Sequence, residues 1–532
     1  MTIASLAATT ALPIDALTAL LGAENVTVDP GELAFFSTDV YRRADVDAVL
    51  VISPGSVEEL ADAVRLCTQE GLAVVARGGG LSYTAGFLPT RTNTAIVDMR
   101  RLDRIVEINA TDMYVTVECG TTWKSLYEAL KPLGLRTPYF GPMSGYASTV
   151  GGALSQGSIF LGSTQYGTTS DSVLSVDVVI ADGSLVATGS AGGIYDPKPF
   201  FRHYGPDLTG LFLNDAGALG LKARATFRLM TAPEAFGAVS FTFATHADLL
   251  AAMSAVARSG FAAECFGADP YIWGMRLWDD DLVRDVKRLV GVATGGKTMM
   301  GGIKDAARIA ITGRRALKDV EYAMNVAVDG RTAAEVDHAL AQIRAIAAPT
   351  GREVEATVPI TVRGAPFVPP NDILGPKGQR WAPSHGIAPH SRIVELTDAL
   401  YEFFEARAAL IAQHEIEWGF VTFAISTTAI LIEPMLYWPG AREAYHERMI
   451  EPGALAKLPK LAANPATAAV MKQLRAELAT FWMEQGCAHL QIGKTYRYLD
   501  SRQPQTRTLI EQIKAAVDPD GLINPGALGL GG

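Results

Sequence analysis

The chain has 532 residues, 48% of them hydrophobic and 19% charged; this is an ordinary globular balance in a chain too long for one core, so about two or three domains are expected. Its net charge of −10 argues against nucleic acid or an anionic membrane as the main partner. The four cysteines, Cys67, Cys119, Cys265 and Cys487, are far apart and form no CxxC pair, which disfavours a disulfide framework and a metal site and suits a reducing compartment.

In chain order, the opening MTIASLAATTALPIDAL has no basic segment ahead of its thin apolar run, so no signal peptide is expected and the protein is read as cytoplasmic. From Pro54 to Gly71 the text is helical: Ser56 and Glu59 have capping-box spacing, Val57, Leu60, Val64 and Cys67 recur on one face, and Gly71 is a C-terminal stop. A strand, LAVVA, follows directly, then three glycines with no helix announced after them. Strands are expected at 95–99, 105–108 and 114–120, and a helix in TTWKSLYEALKPLG. Residues 137–170 form a long uncharged passage with no amphipathic period, a length at which loops tend to be functional. Asp182-Gly183 then marks a hairpin.

Near Pro233 the character changes. HADLLAAMSAVARSG, AAEVDHALAQIRAIAAPTG and ELTDALYEFFEARAALIAQHEI read as amphipathic helices, with strands expected in GAVSFTFAT and EVEATVPITV. GFVTFAISTTAILIEPMLYW is broken by Ser and Thr and reads as two buried strands, not a membrane span. The glycine- and base-rich stretch at 290–315 is an ordered lid, an oligomer contact or a surface loop. The chain ends in a helix stopped by Asp518-Pro519-Asp520-Gly521 and an extended tail.

The chemistry concentrates in VVARGGGLSYTAGF, residues 74–87. A tight turn would need only two glycines, and a Rossmann or P-loop phosphate site needs a helix opening at once, which Gly86, Pro89 and Asn93 forbid. The remaining reading is an anion nest of loop amides, with Ser82 adding a hydroxyl and Arg77 a charge.

That segment, PMSGYASTVGGALSQG, YGTTSDSVLSVDVVIADG and IKAAVDPDGLINPG together resemble, in order, flavoproteins of the vanillyl-alcohol oxidase/p-cresol methylhydroxylase superfamily. The resemblance implies an α+β fold: a PCMH-type FAD-binding domain of two α/β subdomains at 1–232, an inserted α/β cap at 233–484, and a tail, 485–532, returning to the FAD domain. It implies FAD, with Arg77, Gly78, Gly79, Gly80, Leu81, Ser82 and Tyr83 at the pyrophosphate. It places Pro142, Ser148, Thr149, Gly151, Gly152, Tyr166 and Gly167 along the flavin, and Asn524 closing over the cofactor. The three glycines are expected to clear space for the phosphates.

Leu81 stands where many relatives attach the flavin to a histidine, so that linkage is excluded. RWAPSHGIAPHSR resembles the cap stretch through which phenol-oxidising members attach it, which nominates His385 or His390 for a covalent bond or for proton transfer. The resemblance leans to that phenol branch, with Tyr83, His489 and His390 as catalytic candidates. The reaction expected is hydride removal from the benzylic carbon of a para-substituted phenol or aromatic alcohol. Two features depart from the branch: GCAHLQIGKTYRY has no Tyr-Arg phenolate clamp at the expected point, and Met143 stands where an acid is usual. The alternatives are a 2-hydroxy-acid dehydrogenase, in which Lys494 or Arg497 would bind the carboxylate, and a catalytically silent FAD protein. The expected partners are a small-molecule substrate and an electron acceptor, whether oxygen, a quinone or a cytochrome; no nucleic acid or membrane span is expected, and a homodimer is left open.

Overall fold

Why the chain folds around its glycine loop follows from the three larger of the four sheets among the described residues. The computed structural model describes residues 12–277 and 322–531, so the stretch at 290–315 lies outside the described residues. The first sheet has four strands in the order Val26–Thr27, Leu50–Ile52, Thr94–Asp98 and Ala73–Arg77, the last three mutually parallel. Such strands are covered on both faces, which is why they read as unbroken apolar runs. Helix Val57–Gln69 lays Leu60, Ala63, Val64 and Cys67 against them. Ser56 caps it by accepting the Glu59 N–H at 3.1 Å, while the Glu59 carboxylate reaches back one residue beyond the box, to the Gly55 N–H. The C-terminal tail joins this sheet: Val74 donates to the Leu522 carbonyl and Asn524 donates to the Val74 carbonyl.

The second sheet is antiparallel, in the order Ile105–Asn109, Tyr114–Glu118, Leu221–Arg228, Val173–Val179 and Leu185–Ala187; the last two strands are the hairpin on Asp182-Gly183. The third, of eight strands, is antiparallel throughout. Its centre is Ala235–Phe243, Tyr322–Gly330, Glu264–Ala268, Glu417–Ile425 and Ala429–Trp438. Helices His246–Ser259, Ala333–Ala347, Ile393–Glu405 and Pro465–Glu484 share one apolar core with it. The architecture is therefore α+β. Among the described residues no helix is long and apolar enough to cross a membrane, and all four cysteines are free and buried.

Three segments differ from the sequence expectation. EVEATVPITV is a short strand, Gly351–Val354, and then a helix, Thr357–Gly364. Its β-branched run imitates a strand, but Pro359 falls in the first helical turn, where its missing N–H costs nothing. The 137–170 passage holds a seven-residue helix, Val150–Gln156, capped by Thr149. The helix Pro465–Glu484 had signals the reading passed over: an Asn464 cap, Pro465 at the first position, and Met471, Leu474, Leu478 and Trp482 on one face.

A buried ion network ties the N-terminal sheets to the third. Arg136 and Arg363 both donate to Asp329, at 2.9 and 2.8 Å, and Arg363 also reaches Glu264. Glu264 in turn accepts the Gly162 N–H at 2.8 Å.

Candidate active site

The three sheets meet around one large cleft with 1960 Å³ of space between its walls, part of it open to solvent. One wall is loop. Strand Ala73–Arg77 ends and the chain stays irregular until Thr94, and Gly78 to Tyr83 all line the cleft. Three of their carbonyls are engaged: Tyr445 donates to Gly80 O, Val40 to Ser82 O and Arg475 to Tyr83 O. By contrast, none of the backbone N–H groups of residues 79–83 has a protein acceptor among the described residues. Consecutive amides facing a cleft without acceptors are the physical form of an anion nest.

The glycines also have a packing reason that lies within the protein. A Cβ on Gly78 would collide with the Thr149 hydroxyl, one on Gly79 with the Ala147 carbonyl, and one on Gly80 with the Arg77 guanidinium. The missing side chains make room for a second loop and for Arg77. Close abutment of the two loops forms a continuous wall of the cleft. Gly80 also holds φ at 77°.

Arg77 is 1% exposed, and its Nε and Nη2 find no acceptor. Its guanidinium lies between the rings of Phe35, Phe36 and Phe87, and burial pushes its pKa down to about 10. A buried cation left short of acceptors directly behind unsatisfied amides suits a polyanionic ligand.

Of the other expected cofactor residues, Pro142, Ser148, Thr149, Gly151, Gly152, His385 and Asn524 line the cleft. Asn524 is fixed there by donating to the Gly86 and Ala216 carbonyls. Tyr166 and Gly167 are not among the lining residues; Tyr166 is half-buried with Arg136 near its ring, and Gly167 abuts Asp171.

The opposite wall is strand. In Ala429–Trp438, Leu431, Glu433 and Met435 point the same way because side chains alternate, and all three face the cleft. Phe423 lies opposite Leu431 on the paired strand, and Trp381 completes the apolar surround. At its polar point the Tyr83 hydroxyl donates to Glu433 Oε1 at 3.0 Å and accepts from Gln491 Nε2 at 2.7 Å. Burial first, and then Glu433, hold the Tyr83 hydroxyl well above its usual pKa. Gln491 presents its amide from a left-handed backbone, φ 48°.

His385 is buried beside this group, with Nδ1 3.2 Å from the Tyr496 hydroxyl and 3.7 Å from Glu433. Its Nε2 meets the Leu490 carbonyl and N–H at 2.8 and 3.1 Å, so whichever tautomer it adopts, the protein occupies both ring nitrogens. Burial, with His489 adding to it, pushes its pKa down to about 3, so it is neutral. His489 stacks on Tyr496 at 4.0 Å and bonds the His385 carbonyl, one layer behind the cleft. His390 is farther out, with Nε2 on Thr427 O. Neither lines the cleft. The reading from sequence missed Glu433, Gln491, Tyr496 and Trp381; only Glu433 left a local trace, as a lone acid in an otherwise apolar strand.

Among the described residues, the acidic, basic and histidine side chains lining the cleft are Lys222, Asp372, His385 and Glu433. Lys222 is bound by buried Asp215 at 2.6 Å. Lys494 is spent on the Leu88 carbonyl, Arg497 pairs with Asp500 at the surface, and neither lines the cleft. Among the described residues no cluster of side chains could hold a metal ion.

Residues 48–189 match the FAD binding domain family. The D-lactate dehydrogenase [cytochrome] 1, mitochondrial, of Saccharomyces cerevisiae is 27% identical over 44% of this chain and 37% of its own length. The 4-cresol dehydrogenase [hydroxylating] flavoprotein subunit of Pseudomonas putida is 26% identical over 45% of this chain and 46% of its own length. Further D-lactate dehydrogenases match over similar spans. The matches thus span less than half the length of these curated relatives. A crystal structure of p-cresol methylhydroxylase with substrate bound covers 97% of this chain and 96% of its own, with a TM-score of 0.70 at 19% identity. The fold is therefore that of the PCMH-type flavoproteins.

Proposed function

We propose that the protein is an FAD-dependent oxidoreductase that removes a hydride from the benzylic carbon of an aromatic alcohol or para-substituted phenol. The observation that carries this reading is the composition of this cleft. One wall offers unsatisfied amides backed by buried Arg77, and the other an aromatic and aliphatic chamber ending on Tyr83, Glu433 and Gln491.

The residues present fit FAD. Gly79 to Tyr83 would hold its pyrophosphate, with Arg77 supplying positive charge from behind, and Ser148, Thr149 and Asn524 would flank the rest. FAD, when bound, supplies the two-electron acceptor for the hydride. The protein's part is to bind and orient. Phe423, Leu431, Met435 and Trp381 exclude water and grip an aromatic ring. Glu433 would take up the proton of a substrate hydroxyl, with Tyr83 donating to its carboxylate and Gln491 donating in turn to Tyr83.

A 2-hydroxy acid would need a cation for its carboxylate, and among the described residues the cleft offers only Lys222, already held by Asp215. A histidine-linked flavin fits poorly, because protein groups hold both His385 nitrogens and His390 lies off the cleft. The test is an absorption spectrum followed by acid precipitation and by anaerobic mixing with benzyl alcohols and with D-lactate. The expected result is yellow protein whose colour leaves the acid pellet, bleached by an aromatic alcohol and untouched by D-lactate. Bleaching by D-lactate alone would replace this reading with the 2-hydroxy-acid one. A colourless protein unable to bind added FAD would end both.

A further inference from the structure

We infer that Phe160 closes the deep end of the chamber and thereby sets the length of the substrate: the site takes a single aromatic ring with a compact group at its far end and refuses one carrying a long para chain. This deepens the function proposed above and rests on the cleft being that oxidoreductase's substrate site.

Phe160 is held where an ordinary backbone would not put it. Its φ is 147°, a value that a β-carbon makes costly. The turn around it is pinned: the Phe160 N–H donates to Ser163 Oγ at 2.9 Å, and the Ser163 N–H donates to the Phe160 carbonyl at 3.1 Å. Beside it Phe140 donates to the Leu161 carbonyl and Leu161 to the Gly141 carbonyl. Consecutive side chains on an extended segment face opposite sides, yet Ile159 and Phe160 both line the cleft. A glycine would meet this backbone without strain, so what phenylalanine adds is a ring.

That ring is a partition. It packs edge-on against Phe266 and Phe423, with centroids 5.5 Å away in each case, and those two are direct partners on the third sheet. Phe160 and Phe423 line the cleft on one side. On the other they line a second gap, with 170 Å³ of space between its walls and too narrow for a water. Phe423 also faces Leu431, which lies two residues along the strand from Glu433, about 7 Å at strand spacing. The opposite end of the chamber opens: exposed Asp372 stands beside Ile373, which shares an apolar cluster with Tyr83 and Trp381. A ring held at the polar point therefore has solvent on one side and Phe160 on the other, with room for little more than the ring itself between them.

The test is equilibrium binding of benzyl alcohol and its para-methyl and para-butyl derivatives to the FAD-loaded protein, followed by titration calorimetry and by perturbation of the flavin absorbance, so that turnover is not the readout. In a site open at its far end each added CH2 would raise affinity about fourfold. The wild type should instead bind the butyl compound at least about tenfold more weakly than the methyl one. Phe160→Ala should reverse that order, raising butyl affinity by about tenfold or more while benzyl alcohol binds no tighter than before. Phe160→Gly should do the same and, because glycine suits a φ of 147°, should withstand more urea than Phe160→Ala, against the usual order of the two residues. Wild-type affinity rising through the butyl compound, or an unchanged order in both variants, would overturn the role of Phe160 and leave the oxidoreductase reading standing. Phe160→Ala proving the more stable variant would overturn the strained placement on which that role rests. If neither variant folds, the wild-type series decides alone. Binding of none of the three alcohols would overturn both readings.

Discussion

The loop wall and the strand wall of the cleft hold their shapes by different means. At residues 78–86 and 142–152 the surface is mostly backbone, and its contour is set by chain fitting against chain: Thr149 and Ala147 occupy the volume that side chains on Gly78 and Gly79 would need. At 381–385, 423–435 and 490–491 it is side chain, and its polar point is assembled from Tyr83, Glu433 and Gln491, of which the first two are 350 residues apart. A backbone surface can offer only amides and carbonyls, which suits a ligand common to a whole family. A side-chain surface can change its charge at one position, which is where specificity resides.

The largest way to break this pairing is at the seam between the walls. Arg136 comes from the loop side and Asp329 and Arg363 from the strand side, and Arg136 and Asp329 are both 4% exposed. Asp329→Ala leaves Arg136 without its carboxylate partner in the interior and should cost about 3–5 kcal/mol in urea unfolding, with loss of retained flavin. A loss under about 1 kcal/mol would show that the walls stand independently.

Within the loop wall, Gly79→Ala drives a methyl into the Ala147 carbonyl, a backbone atom that cannot swing aside. The expected cost is about 1–3 kcal/mol, with FAD affinity falling alongside it. Unchanged affinity would mean that the abutment of the two loops does not shape the nest.

This contrast also explains what the sequence disclosed. The loop wall was legible because its signals are contiguous: Arg77 to Tyr83, Ser148 to Gly152 and Asn524 each sit in short segments whose glycine pattern admits few conformations. What filled the space beside the glycines was not legible, since only the fold brings residues 147–149 there. The strand wall was legible as a hairpin at 417–438 and not as a site. Alternation shows which residues share a face but not that the face meets Tyr83. His390 and His489 were nominated through the resemblance, which gives a place along the chain and not in the fold; the structure places His489 against Tyr496 and His390 on Thr427, both off the cleft.

The effect that is smallest at neutral pH, and grows only on acidification, distinguishes a structural from a titrating His385. Its folded pKa, about 3, lies below its ordinary 6.5, so between those values the unfolded chain takes a proton that the fold refuses. The stability it contributes is therefore fully present above pH 6.5 and is lost as pH falls toward 3. His385→Gln removes that titration while keeping a side chain able to bond Leu490. Urea unfolding across this acid range should then show the wild type losing up to about 1.4 kcal/mol more per pH unit than the variant. Parallel curves would mean that water reaches His385 in the fold. The strand wall would then be a solvated surface rather than a dry chamber around an aromatic ring.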